Sequence, residues 1–451
     1  MRGLRSTLFL LVVAVALGAY IYFVESRRTP GEETKRDKVF SVEADKIEEI
    51  QVRSAGGETT TLRKKEGAWE IVEPMAVKAD ESEVSSVTSN LASAEISRTI
   101  EEKAADLSAY GLAKPQVEVA FKVSGDADYR RLLIGEKTAT GGDMYAKLAS
   151  EPRVFLIPSY LETSFNRSTF DLRDKTLLAF DRDKADSIEV ATGGRTVRAV
   201  KQGAEWKLQQ PVAAAADFSA VEGLLGRINT AQVKSIAEQN PADLAKYGLA
   251  QPDATVSVGA GSSRATLLIG SRAEDGNIYA KDASRPMVVT VESSLVDELK
   301  KDPSELRRKD LFDFRPFNLT RLEIVRDGQT LAFEKAKGTE KDAQEKWRQV
   351  APAAQDVDAT KMDDLLGKLS NMRASSFVDS RDNTGLDKPL LTVVARFDEG
   401  KKTERVELGK SGSDAYAARQ GEPGAAKVTT FDLDEVIRIL DEMKKPPETK
   451  S

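Results

Sequence analysis

Apolar and polar positions alternate in three blocks of the chain, and each block opens in the same way. Ile47, Ile50 and Val52, then Ile188 and Val190, then Leu322 and Ile324 keep the two-residue period of a half-buried strand. In the first block a turn and a second strand, Thr59 to Arg63, lead into AWEIVEP. This third strand ends at its proline, which has no N–H to give to a ladder. The period then becomes helical. Val84, Val87 and Leu91, then Val221, Leu224 and Ile228, then Met362, Leu365, Leu369 and Met372 each mark one face of a helix. Strand-like segments return at Val117 to Val123, Arg131 to Gly135, Met144 to Leu148 and Val154 to Ile157. Helical segments such as Val296 to Lys300 and Glu435 to Met443 close the blocks. The order βββ-α-ββββ-α has no regular βαβ alternation, so each block is predicted to be a mainly antiparallel α+β module.

The punctuation repeats with the pattern. Trp69, Trp206 and Trp347 are the three tryptophans of the chain. Pro74, Pro211 and Pro352 follow five residues later, and Asp80, Asp217 and Asp358 eleven residues later. Tyr110-Gly111-Leu112 recurs as Tyr247-Gly248-Leu249 and, altered, as Thr384-Gly385-Leu386. Pro115, Pro252 and Pro389 stand 137 residues apart. Leu132-Leu133-Ile134-Gly135 returns as Leu267-Leu268-Ile269-Gly270 and Val406-Glu407-Leu408-Gly409, and Tyr145, Tyr279 and Tyr416 come next. Units this long are predicted to carry a core each, unlike short solenoid repeats. Leu172-Arg173-x-Lys175-x-Leu177 and Leu306-Arg307-x-Lys309-x-Leu311 join the copies with few spacer residues, which predicts modules that abut. The modules are placed at 39–176, 177–314 and 315–443.

Each repeated Asp stands just before a helical period, where its carboxylate can accept from first-turn amides. Capping explains it better than acid chemistry does. The Tyr-Gly-Leu-x-x-Pro run fits a helical turn closed by a left-handed glycine. Each Trp reads as a core residue beside strand formers rather than a sugar platform.

Ahead of the modules, Ser6 to Val24 is an uncharged run of 19 residues. As a helix it would span roughly 28 Å, close to a bilayer's hydrocarbon thickness. An N-terminal transmembrane helix within 1–25 is therefore expected, followed by a polar linker at 26–38 and, at the other end, a tail at 444–451. A cleaved signal peptide, cut after Ala16 or Ala19, is the alternative. Arg27, Arg28, Lys35, Arg36 and Lys38 outnumber Arg2 and Arg5 across the run, but long downstream domains translocate largely regardless of flanking charge. The expected placement is a single-pass protein of the bacterial inner membrane, with the modules on the periplasmic side.

Composition narrows the chemistry. The chain of 451 residues has no Cys and no His. Thiolate metal sites, disulfides, cysteine nucleophiles and histidine-based triads are thereby excluded. The net charge of −6 gives no basic surplus that would predict nucleic-acid binding. Gly409-Lys410-Ser411 lacks the earlier glycine of a phosphate loop, since position 404 is Glu, and it reads as a strand-end turn. Asp126-Ala127-Asp128 and Asp181-Arg182-Asp183 lack the glycine and terminal glutamate of a calcium loop. No catalytic, cofactor-binding or metal-binding residue is assigned, and no cofactor is expected.

The three Trp units, the Leu-Arg-x-Lys-x-Leu joints and the N-terminal run resemble bacterial proteins carrying the DUF4340 domain. The resemblance implies an accessory component of an ABC-type transport or envelope assembly of the gliding-motility kind, with transporter subunits as protein partners and no catalytic residues. Module 3 departs most from the others: Thr384 replaces the tyrosine, and KGTEKDAQEK precedes its Trp. A non-catalytic membrane-anchored binding or scaffold protein is the expected function. A carboxylate-based cell-envelope hydrolase and a ligand sensor acting through a partner are the alternatives.

Overall fold

The hairpins announced by the alternation of module 1 assemble into one sheet. β1 (Ile47–Arg53), β2 (Thr59–Lys65), β3 (Ala68–Glu73) and β4 (Val77–Lys78) come before the helix α1 (Glu81–Ser93). After it come β5 (Arg98–Glu101), β6 (Val117–Val123), β7 (Arg130–Lys137), β8 (Asp143–Leu148) and β9 (Val154–Pro158), then α2 (Tyr160–Phe165) and α3 (Thr169–Leu172). The nine strands lie in the order β4-β3-β2-β1-β6-β7-β8-β9-β5. Every paired neighbour is antiparallel. The computed structural model describes Tyr20, residues 37–336 and residues 345–444. Two further nine-stranded sheets, one beginning at Ser187–Thr192 and the other at Leu319–Arg326, repeat that order strand for strand. Module 1 occupies the unit 1–175, and modules 2 and 3 share the unit 176–451.

One expectation about the fold class is overturned. No helix among the described residues is long and apolar enough to cross a membrane. The described residues form three sheet-dominated antiparallel modules, and the transmembrane helix expected ahead of them is not among them. The Ser6–Val24 run on which that expectation rested lies outside the described residues, Tyr20 apart. Most of the linker at 26–38, the tail beyond Lys444 and residues 337–344 of the module 3 insertion lie outside them too. Two strands of each module were missed as well. β4 and β5 hold two and four residues, too few for a period to register.

The helices cover one face of each sheet. Val84, Val87 and Leu91 of α1 are fully buried against Ile50, Leu62, Val119 and Leu132. At about 1.5–3 kcal/mol for each buried aliphatic side chain, this stripe holds the helix more firmly than helix propensity could. Asp80 accepts from the amides of Ser82 at 3.0 Å and Glu83 at 3.2 Å. Asp217 accepts from Ala220, and Asp358 from Thr360 and Lys361. All three repeated aspartates thus satisfy amides that a helix start leaves bare. Trp69 and Trp206 are buried, while Trp347 is partly buried against the core of module 3. The proline after each Trp strand follows a cis peptide bond.

Candidate functional site

The repeated motifs meet in space, and most of them are spent on the fold. In module 1 the turn Ser108–Tyr110 is closed by Gly111 at φ 66°. It lays its backbone on β7, where Tyr110 O comes 2.1 Å from the position a Cβ on Gly135 would take. Gly248 and Gly270 repeat the arrangement against Tyr247 O, again at 2.1 Å. In module 3, Gly385 and Gly409 keep it despite Thr384. Tyr-Gly-Leu and Ile-Gly are therefore two halves of one contact. The Tyr110 hydroxyl donates to Glu101 at 2.7 Å, and its ring packs on Tyr145 at 5.0 Å. Tyr247, Glu238 and Tyr279 form the same group in module 2. The acceptor carboxylate raises both phenol pKa values above the ordinary one.

The sequences set aside as chemistry fall on structural roles. Gly409-Lys410-Ser411 ends the strand Lys402–Ser411, and Lys410 pairs with Asp434. Asp181 caps a short 3-10 turn through Asp183 N and pairs with Lys184 at 2.8 Å. Asp126 accepts from Val123 N and pairs with Arg130. Among the described residues, no group of three or more acidic side chains is arranged to hold a metal ion.

Two features were not visible in the sequence. The first is a charged network where modules 2 and 3 join. Arg307 is buried, lies 3.9 Å over the Phe377 ring and pairs with Glu422 at 3.5 Å. Glu422 also accepts from Ala215 N at 3.4 Å and stands 3.8 Å from Arg419. Arg419 pairs with Asp313 at 2.9 Å and with Glu404 at 3.9 Å. Glu404 in turn accepts the amides of Asp313 and Phe314, at 2.8 and 3.0 Å. Burial raises the Glu404 pKa above the usual carboxylate value, against those amides and Arg419. Burial likewise lowers that of Arg307, with Glu422 opposing. The acid with the raised pKa thus spends its oxygens on backbone. The position was hidden because its partners lie about ninety residues away.

The second feature is an open crevice of about 260 Å³ in module 2. Val190, Val197, Leu224, Leu299 and Leu306 line it, together with the acidic Glu298 and Asp302. It lies where the closing helix is only the seven residues Ser293–Leu299. In module 3 the closing helix, Thr430–Met443, packs along Ala359–Ser370.

Comparison with known families gives one assignment. The model for the domain of unknown function DUF4340 matches residues 69–205 and 206–389. The chain belongs to the DUF4340 family. Both DUF4340 segments begin on a Trp of the third strand, so they are offset from the folded modules, whose sheets start upstream at Ile47 and Ser187. The second segment runs on through Trp347 into module 3. No curated protein matches the chain. Two solved structures from Pseudomonas aeruginosa align along most of it. A DNA polymerase sliding clamp with ligand covers 87% of this chain and 93% of its own, at 9% identity and a TM-score of 0.17. The DNA polymerase III subunit beta covers 86% and 92%, at 10% identity and a TM-score of 0.16. Scores that low carry no argument about fold or function.

Proposed function

We propose that this DUF4340 protein is a non-catalytic binding scaffold whose partners are proteins, serving as an accessory component of an ABC-type transport or envelope assembly. The observation that carries the reading is where the repeated residues go. The Asp caps, the paired glycines and the Tyr–Glu–Tyr groups are used up in holding the module. Duplication of such a unit multiplies surface without multiplying a reactive centre. The exposed aromatics differ between copies: Tyr160 in module 1, Phe218 in module 2, and Phe317 and Phe431 in module 3. The transporter association is the part that the family resemblance alone suggests.

The test is affinity purification of the full chain from the cells that make it, with the co-purifying proteins identified by mass spectrometry. Stoichiometric recovery of transporter subunits supports the reading. A chain that purifies alone and turns over a glycan or peptide, with turnover lost on replacing one or two carboxylates, overturns it.

A further inference from the structure

Both joints pair with a sheet edge through an antiparallel bridge, and both use the same kind of edge. In module 1, Ala79, just beyond β4, forms an antiparallel bridge with Arg173. Asp174 N donates to Lys78 O, and Asp80 N donates to Leu172 O, both at 2.9 Å. In module 2, Ala216 bridges Arg307, Arg308 N donates to Ala215 O at 2.9 Å, and Asp217 N donates to Leu306 O at 2.8 Å. Two modules therefore receive an extended Leu-Arg-x-Lys segment on the edge just ahead of the capped helix, in one register.

Module 3 has the same edge, at Gln355, Asp356, Val357 and the cap Asp358. Among the described residues, no segment pairs with its outer side. The consequence is visible in burial: Ala79 and Ala216 are 1% and 7% exposed, whereas Val357 is half-buried and Asp356 and Asp358 are exposed. Among the described residues module 3 has no counterpart of the joint; its closing helix runs through Met443, which packs on the module 3 core. A sheet edge with free main-chain groups is a template for a further strand.

We propose that the edge Gln355–Asp358 is a docking strand that takes an extended, Lys- and Arg-bearing segment of a partner protein by strand addition. This rests on the scaffold reading above and names the recognition chemistry. Main-chain pairing would repeat that of Arg308 with Ala215 and of Asp217 with Leu306. A basic side chain of the guest would face the exposed Asp358; Asp356 pairs with Arg348 at 3.2 Å. The internal guests also carry basic residues, of which Arg307, Arg308 and Lys309 pair with Glu422, Asp313 and Glu305 rather than with the edge. The precedent for a base beside the cap acid is Lys175, which lies close enough to Asp80 to lower its pKa. Both internal joints are already seated within their own chain. The chain's own tail offers Lys445 and then Pro446-Pro447, which have no N–H to give. The occupant proposed is a separate protein, with the tail as an outcome of the test.

The probe is a fluorescent peptide of residues 302–311, DPSELRRKDL, titrated into the full chain. Anisotropy reads binding, and hydrogen exchange by mass spectrometry reads the segment 354–358. Binding with slowed exchange there, weakened at least tenfold by N-methylation at the Arg308 position or by Asp358→Pro, which removes the guest-facing N–H, is the expected result. Binding that ignores both changes, or no binding to any form, overturns the proposal. Binding only after deletion of residues 445–451 assigns the edge to the tail and overturns it too. So does self-association of the full chain, seen by sedimentation and abolished by Asp358→Pro, which assigns the edge to a second copy. Peptide binding without recovered transporter subunits would sink the transporter reading and leave the edge standing. The reverse would do the opposite.

Discussion

The carbonyl oxygen of Tyr110 occupies the space that a side chain on Gly135 would need, 2.1 Å from the ideal Cβ position. That contact explains why Tyr-Gly-Leu and Ile-Gly recur together at a fixed interval. A glycine at φ 66° turns the chain back onto the sheet, and a second glycine lets it land. Gly135→Ala is expected to cost about 3 kcal/mol, at the upper end for overpacking, because the obstructing atom is backbone. Gly142→Ala, with nothing within 4 Å of the added carbon, is the control and should be near neutral. Urea midpoints of the two variants decide between this contact and a merely tolerant turn.

Asp80 supports α1 as an acceptor, and its charge makes that support depend on pH. Burial alone would raise its pKa, but bonds from the Ser82 hydroxyl and from the amides of Glu83 and Ser82 outweigh burial and hold it below the ordinary 3.8. A lowered folded pKa means that the stabilisation is complete above the ordinary value and is lost as pH falls through the folded one. Asp80→Ala should cost about 1 kcal/mol at pH 7, and the gap from wild type should narrow as pH falls below the ordinary 3.8. Asp80→Asn should keep most of the stability and lose this component of the pH dependence. Thermal melts between pH 2 and pH 7 measure both.

At the joint of modules 2 and 3, Arg307 is held by Phe377 and Glu422 together. Removing it leaves a partly buried carboxylate facing Ala215 N and Arg419. Arg307→Ala is expected to cost about 3 kcal/mol, the low end for one partner of a buried pair, because Glu422 keeps some exposure. Adding Glu422→Gln should recover part of that loss, so the double variant costs less than the two single changes summed. Chemical denaturation of the four forms reads the coupling. Strict additivity would show that Arg307 acts through stacking alone.

Much of this fold was legible because its signals are local. Period, cap and proline mark the Trp strand and the helix after it in Asp80, Asp217 and Asp358 alike. What escaped is set by pairing across long separations. β4 and β5 are too short for alternation, and only their register with β3 and β9 makes them strands. Leu306 to Leu311 reads as a spacer, yet it pairs with Ala216 through Arg307 and with Arg373 through Asp310. Glu404 looks like one more surface acid until the chain returns Asp313 and Phe314 to it. The expectation of a spanning helix leaned on an uncharged run outside the described residues, and nothing within them replaces it.

If the modules are stitched by strands, the backbone amide of Arg308 should exchange like a ladder amide. Site-resolved hydrogen exchange on the intact chain measures it directly. The account predicts that Arg308 and Asp217 are protected as strongly as neighbouring amides of the strand Glu205–Gln210. Exchange at the free-chain rate at Arg308, with that strand still protected, would make the joint a tether and contradict it.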